Sequence, residues 1–220
     1  MINSSFLPLK DRIQATGHHP DGKIDTNQHF YGIHPAASLH TTAKDYCKFL
    51  TACATDSFIR EKMFAPAVPE FSQKDTKAID AKVPVTVLKQ INWGLGIGLQ
   101  HNKDGSFTAF HWGDNQTCRN FTAVNLSTNQ SITCLTNSAN GPAIFQKIAE
   151  PIVGDLSATC QWLYSREGFK FDVDVKSNPA ANYRAAVTEI KLSDPDTTEQ
   201  ISEKVTKYNP LKTIPNPDNQ

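Results

Sequence analysis

Neither sign of charge dominates this chain. Twenty-two Lys and Arg side chains are matched by 22 Asp and Glu, so no net field would gather nucleic acid or an anionic lipid surface. No apolar run approaches the roughly 20 residues that span a bilayer. The stretch from Met1 to Lys10 lacks a basic start followed by sustained apolar sequence, and the expectation is a chain without a secretory leader, cytoplasmic as written. The five cysteines (Cys47, Cys53, Cys118, Cys134 and Cys160) are odd in number and include no C-x-x-C. Zinc ribbons and complete disulfide frameworks need pairs, so free thiols are expected. With 11 Gly and 13 Pro the chain is neither collagenous nor low in complexity. What remains is a globular composition, 39% apolar and 20% charged, over 220 residues, enough for one ordinary domain with a tail.

Patterning divides the chain. Residues 1–40 have little periodicity, with turn chemistry at Gly17-His18-His19-Pro20-Asp21-Gly22 and an irregular loop continuing through Pro35-Ala36-Ala37. A helix is expected over 41–54. Thr41 or Thr42 can cap it, Asp45 stands in its first turn, and Ala43, Tyr46, Cys47, Phe49 and Leu50 share a face. Residues 56–64 can extend it before Pro66 and Pro69 end helical structure. Val83 to Leu88 reads as a short or edge strand because of Pro84.

Further strands are expected at about 93–100, 106–112, 119–126 and 131–137, with hairpin turns at Asn102-Lys103-Asp104-Gly105 and Ser127-Thr128-Asn129-Gln130. From Trp93 to Leu99 large residues alternate with glycine, as in a strand whose glycine face is pressed by another element. Gly141-Pro142 opens a second helix over 141–153, with Ile144, Phe145, Ile148, Ile152 and Val153 on its core face. After Trp162-Leu163-Tyr164 the character changes. Residues 176–220 hold six basic and six acidic side chains, five prolines and no Phe, Trp or Cys. Short helices over 180–192 and 197–207 would lie loosely there. The expected organisation is therefore a domain over 1–164 and a polar extension over 165–220. The fold class is α+β, an antiparallel sheet with its helices packed on one face.

Three clusters carry chemistry. His18, His19, His29, His34 and His40 crowd the N-terminal loop beside Asp21, but zinc ligands come at helical i, i+4 spacing or in converging pairs, and these do neither. A metal hydrolase is thus the least favoured reading. Gly94, Gly96 and Gly98 have no helix N-terminus behind them, so no phosphate cradle, and no cofactor, is implied. His111-Trp112-Gly113-Asp114 ends a predicted strand, where His111 can present its ring at a sheet edge and Gly113 lets a ligand lie against the backbone.

Context extends that last reading. The segment Pro35-Ala36-Ala37-Ser38-Leu39-His40-Thr41-Thr42-Ala43-Lys44-Asp45-Tyr46-Cys47-Lys48-Phe49 resembles the P-A-A-G-L-x-S-T-A-x-D-x-x-x-F stretch of serine β-lactamase-related proteins. That family comprises class C β-lactamases, penicillin-binding D-Ala-D-Ala carboxypeptidases and related esterases. Trp93-Gly94-Leu95-Gly96 is similar to its Y/W-G-L-G strand, His111-Trp112-Gly113 to its K-T-G or H-x-G motif, and Cys134 to Gly141 to the strand ending L-T-N-x-x-x-G. The four segments run in the family's order and the resemblance covers roughly residues 17–164.

The resemblance implies that His111 helps bind substrate and set protonation, and that the backbone N–H of Asp114, just after the motif Gly113, supplies one oxyanion donor. It also implies a small acyl or peptide-like ligand, and relatives that are usually exported. Two family motifs are absent. No Ser is followed three residues later by Lys, the nearest case being Ser57-Phe58-Ile59-Arg60, and no Y-x-N occurs. Ser127-Thr128-Asn129 and Ser138-Ala139-Asn140 fit S-x-N but lie after His111, in the wrong order.

The favoured expectation is a truncated hydrolase, a gene remnant or a chain read from a late start, with a partial β-lactamase/transpeptidase-like fold lacking its N-terminal elements. The alternative is a non-catalytic module that binds ligand around His111 and Trp112. Missing elements would leave part of the sheet open to self-association.

Overall fold

A computed structural model of the chain describes residues 3–7, 14–26, 33–69 and 83–169. The expected helices at 180–192 and 197–207, and most of the extension over 165–220, lie outside the described residues.

The first helix, α1 (Ala43–Thr55), starts where its capping chemistry places it. Thr42 is extended and its Oγ1 accepts the Asp45 N–H. Asp56 ends α1 and caps the next helix, α2 (Ser57–Met63), through a bond from the Ile59 N–H to its Oδ1. A two-residue strand, β1 (Val68–Pro69), and one helical turn, α3 (Val85–Leu88), lead into β2 (Ile91–Trp93), β3 (Gly98–His101), β4 (Phe107–Asp114), β5 (Arg119–Asn125) and β6 (Ser131–Leu135). Two helices close the described chain, α4 (Pro142–Val153) and α5 (Ser157–Glu167). The strands form one antiparallel sheet in sequence order, β1 to β6. The fold is α+β.

Alternation along the strands decides how the sheet is covered. Phe110, Phe121 and Ala123 face one layer with Val87, Leu88, Phe145, Ala149, Cys160, Trp162 and Leu163. Their neighbours Leu99, Ala109 and Val124 face the other, with Leu50, Cys53, Ala54 and Phe64. Both parities are apolar, so both faces need a cover. This corrects the expectation of helices on one face: α1 and α2 pack on one side, and α3, α4 and α5 on the other.

Two local expectations also change. Val83 to Leu88 is not a strand. Burial falls at Val83, Val87 and Leu88 while Val85 is half exposed, a helical rather than alternating spacing, and Pro84 O accepts from both Val87 and Leu88. The predicted strand over 93–100 is a hairpin. Trp93 pairs with Gly98 across a reversal in which the Gly94 N–H donates to Ile97 O and Gly96 adopts φ +73°. The press on the glycines is real: a side chain at Gly94 would strike the Met63 carbonyl, and one at Gly98 would meet the Phe110 ring at 2.5 Å.

Helix α5 carries the domain past residue 164. Leu156, Cys160 and Leu163 are buried at i, i+4, i+7, and Phe169 beyond the helix is fully buried. On the opposite face of the sheet from α5, the buried Asp45 carboxylate ties the N-terminal segment to α1, accepting from the Asn3 N–H at 2.7 Å and the Ser4 hydroxyl at 3.1 Å.

Two outcomes are expected. Gly98→Ala crowds the fully buried Phe110 ring and should cost about 1–3 kcal/mol in a urea titration; an unchanged midpoint would contradict the contact. The Asn3 N–H, with help from Ser4 and against the effect of burial, holds the Asp45 carboxyl below its ordinary value. A depressed carboxyl stabilises the fold above its unfolded value, and that stabilisation is lost as pH falls through the folded value. Wild-type stability should therefore fall more steeply on acidification than that of Asp45→Asn; parallel curves would argue against the tether.

Candidate functional site

The residues singled out in the sequence lie at the end of β4, and its pairing explains why they are accessible. Backbone groups alternate between neighbouring strands. The Leu126 N–H donates to Phe107 O and the Asn115 N–H to Cys118 O, so odd-numbered residues of β4 address β5. The Asn102 N–H donates to Ser106 O, so even-numbered residues address β3. Pairing with β3 stops at Gly98 opposite Phe110, whereas pairing with β5 runs on to Asp114 opposite Arg119. Residues 111–114 overhang β3. The N–H groups of Trp112 and Asp114 point into the resulting notch, and among the described residues nothing pairs with them.

His111 sits in this notch. Its Nδ1 lies 2.7 Å from the Trp112 carbonyl oxygen, which can only accept, so Nδ1 carries the proton. In its neutral form the ring then presents an Nε2 lone pair able to accept a hydrogen bond or a proton. The ring stacks on Trp112 at 5.4 Å and meets Trp93 edge-on at 6.4 Å. All three tryptophans of the chain meet here, Trp93, Trp112 and Trp162 lying 5.1–6.0 Å apart in tilted or edge contacts. They form a rigid apolar bed on one side of the notch. On the other face of β4, a side chain at Gly113 would meet only Asn120 Nδ2, at 4.0 Å. Gly113 therefore leaves that face bare without being required by the backbone.

The carboxylate of Asp114 has structural work. Its Oδ1 accepts the Gln116 N–H at 2.7 Å, building the turn in which Gln116 adopts φ +64°. Its Oδ2 lies 3.1 Å from the buried Nε of Arg119, an ion pair off the direction a hydrogen bond requires. Arg119 also donates to Ala139 O and lies over the Phe169 ring. Sequence reasoning missed Arg119, whose only signal was its place directly across the predicted hairpin from Asp114.

The N-terminal histidines do not converge. His18 inserts between Thr117 and Ala139 by main-chain bonds, with its Nδ1 on Asn137 O. His19 Nε2 is 3.9 Å from Asp25. The His34 ring accepts from the Ala36 N–H, and His40 pairs with Ser5 through the backbone. His29 lies outside the described residues. Among the described residues no three His, Cys, Asp or Glu side chains are placed to share a metal ion. All five cysteines are free thiols. No helix among the described residues is long and apolar enough to cross a membrane. The chain matches no protein-family model, no curated protein and no solved structure.

The tautomer gives a direct check. Long-range ¹⁵N–¹H spectra of the neutral His111 ring should show protonated Nδ1 and bare Nε2; the reverse pattern would remove the Trp112 carbonyl as the ring's partner.

Proposed function

We propose that this chain is the C-terminal portion of a β-lactamase-related serine hydrolase domain, keeping the strand that holds the ligand and lacking the nucleophile. One observation carries the reading: β4 overhangs β3 at His111-Trp112-Gly113-Asp114, the segment that resembles the family's third motif. An extended acyl or peptide-like ligand lying in the notch would pair its carbonyl oxygens with the Trp112 and Asp114 N–H groups, as an added strand does. The Nε2 of His111 would accept a hydrogen bond from the ligand, and the tryptophan bed would exclude water from one side.

Catalysis is a separate matter. Acyl transfer in such a domain needs a serine activated by a nearby lysine, and two donors aimed at the developing oxyanion. The Asp114 N–H can serve as one donor, and nothing in the sequence supplies the S-x-x-K serine. Loss of a single oxyanion donor typically costs on the order of 10²–10³ in rate. With no activated serine there is no covalent route, so the chain alone binds without turning over.

Incubation with a fluorescent penicillin, followed by intact-mass measurement, should give no covalent adduct. Titration with an acylated D-Ala-D-Ala peptide should shift the amide resonances of Trp112 and Asp114. A stoichiometric mass increase on any serine would overturn the missing nucleophile, and unmoved amides at 112 and 114 would overturn the binding strand.

A further inference from the structure

The last strand of the sheet offers a second open edge, of a different kind. Among the described residues, strand β6 pairs only with β5. The Asn125 N–H donates to Gln130 O, and Ile132 O accepts from the Thr122 hydroxyl on the β5 side. Even-numbered residues of β6 thus address β5, and Ser131, Thr133 and Leu135 direct their N–H and C=O outward. Every residue of the strand is partly or fully exposed. Natural edge strands are usually blunted by a charge, a proline or a bulge. Here Ser131-Ile132-Thr133-Cys134-Leu135 has none of these, and no charged side chain occurs between Arg119 and Lys147.

We propose that two copies of the chain pair through β6 in antiparallel register about a twofold axis at Thr133, joining their sheets into one. Donors and acceptors decide the register. Outward-facing residues must oppose outward-facing residues, which puts Thr133 against Thr133 and Ser131 against Leu135 and lets each main-chain donor meet an acceptor. On the face that packs toward α4, Ile132 then stands opposite Cys134 of the partner subunit. Both are partly buried and packed on the core cluster, so apolar surface meets apolar surface on that face, and no like charges face each other along the strand. A second copy brings the same uncharged strand to this edge, and the twofold axis repeats the Ile132–Cys134 contact on both sides of Thr133.

The tests use the full chain. Wild type should sediment as a dimer at micromolar concentration. Thr133→Pro removes an outward N–H and leaves the β5 ladder intact, a substitution that edge strands tolerate. It deletes two symmetry-related hydrogen bonds, worth roughly thirtyfold in dimer dissociation constant. Thr133→Lys places like charges on the axis and should also give monomers, so the proposal does not rest on one variant folding.

Register is tested separately. Ile132→Cys brings a new thiol opposite Cys134 of the partner subunit. The Cα separation of about 4.5 Å in such a pair lies within disulfide range. Burial raises the Cys134 thiol to about 11, so oxidation is driven with copper–phenanthroline, two electrons and two protons per disulfide passing to dioxygen. A covalent dimer is expected from Ile132→Cys and not from wild type. A monomeric wild type, or a dimer that persists in both Thr133 variants, would overturn the proposal. Neither result bears on the notch at His111, which lies on another strand.

Discussion

The contact between the Phe110 ring and Gly98 governs how the sheet ends. Because Gly98 has no side chain, the tip of the fully buried ring can occupy the space beside it, with Gly98 opposite Phe110 in the ladder. The chain reverses at once through Gly96, so β3 has no residue left to pair with the end of β4. The overhang at His111 to Asp114 is the direct consequence. Arg119 and the Asp114 turn hold that overhang from the β5 side. An open main-chain edge is thereby built on a rigid element, with a tryptophan cluster beneath it, rather than on a loop.

Much of this was legible in the sequence. The helix caps at Thr42 and Gly141-Pro142 and the two hairpin turns are local chemistry, and they place α1, α4 and β4 to β6 within a residue or two. Two elements were misread because their signals are shared between structures. Val85-Thr86-Val87-Leu88 is rich in strand formers, yet its burial in the layer over Phe110 follows helical spacing. The Trp93–Leu99 alternation looks like one strand, although the positive φ of Gly96 turns it into two. Helix α5 went unseen because Ser157, Thr159, Gln161 and Ser165 dilute the Leu156-Cys160-Leu163 stripe.

At the candidate site the residues were legible in the sequence but their geometry was not. His111, Gly113 and Asp114 stand together at a strand end, as their sequence position indicates. The division of labour among them was hidden. The Asp114 carboxylate serves the turn while its N–H faces the notch, and the His111 tautomer is set by the carbonyl of the next residue. Both depend on which way alternate backbone groups point, and composition and motif spacing say nothing about that.

The notch at β4 and the edge at β6 differ in chemistry. One, at β4, is short and walled by aromatic rings, and suits an extended ligand. The other, at β6, is uncharged and symmetric in its donors and acceptors. Amide hydrogen exchange read residue by residue along β4 tests the overhang most directly. The account predicts that Trp112 and Asp114, which point into the notch, exchange orders of magnitude faster than His111 and Gly113, which are bonded to β5. Equal protection along all four residues would mean that something pairs with the β3 side of this segment, and would contradict the open edge on which the proposed ligand site depends.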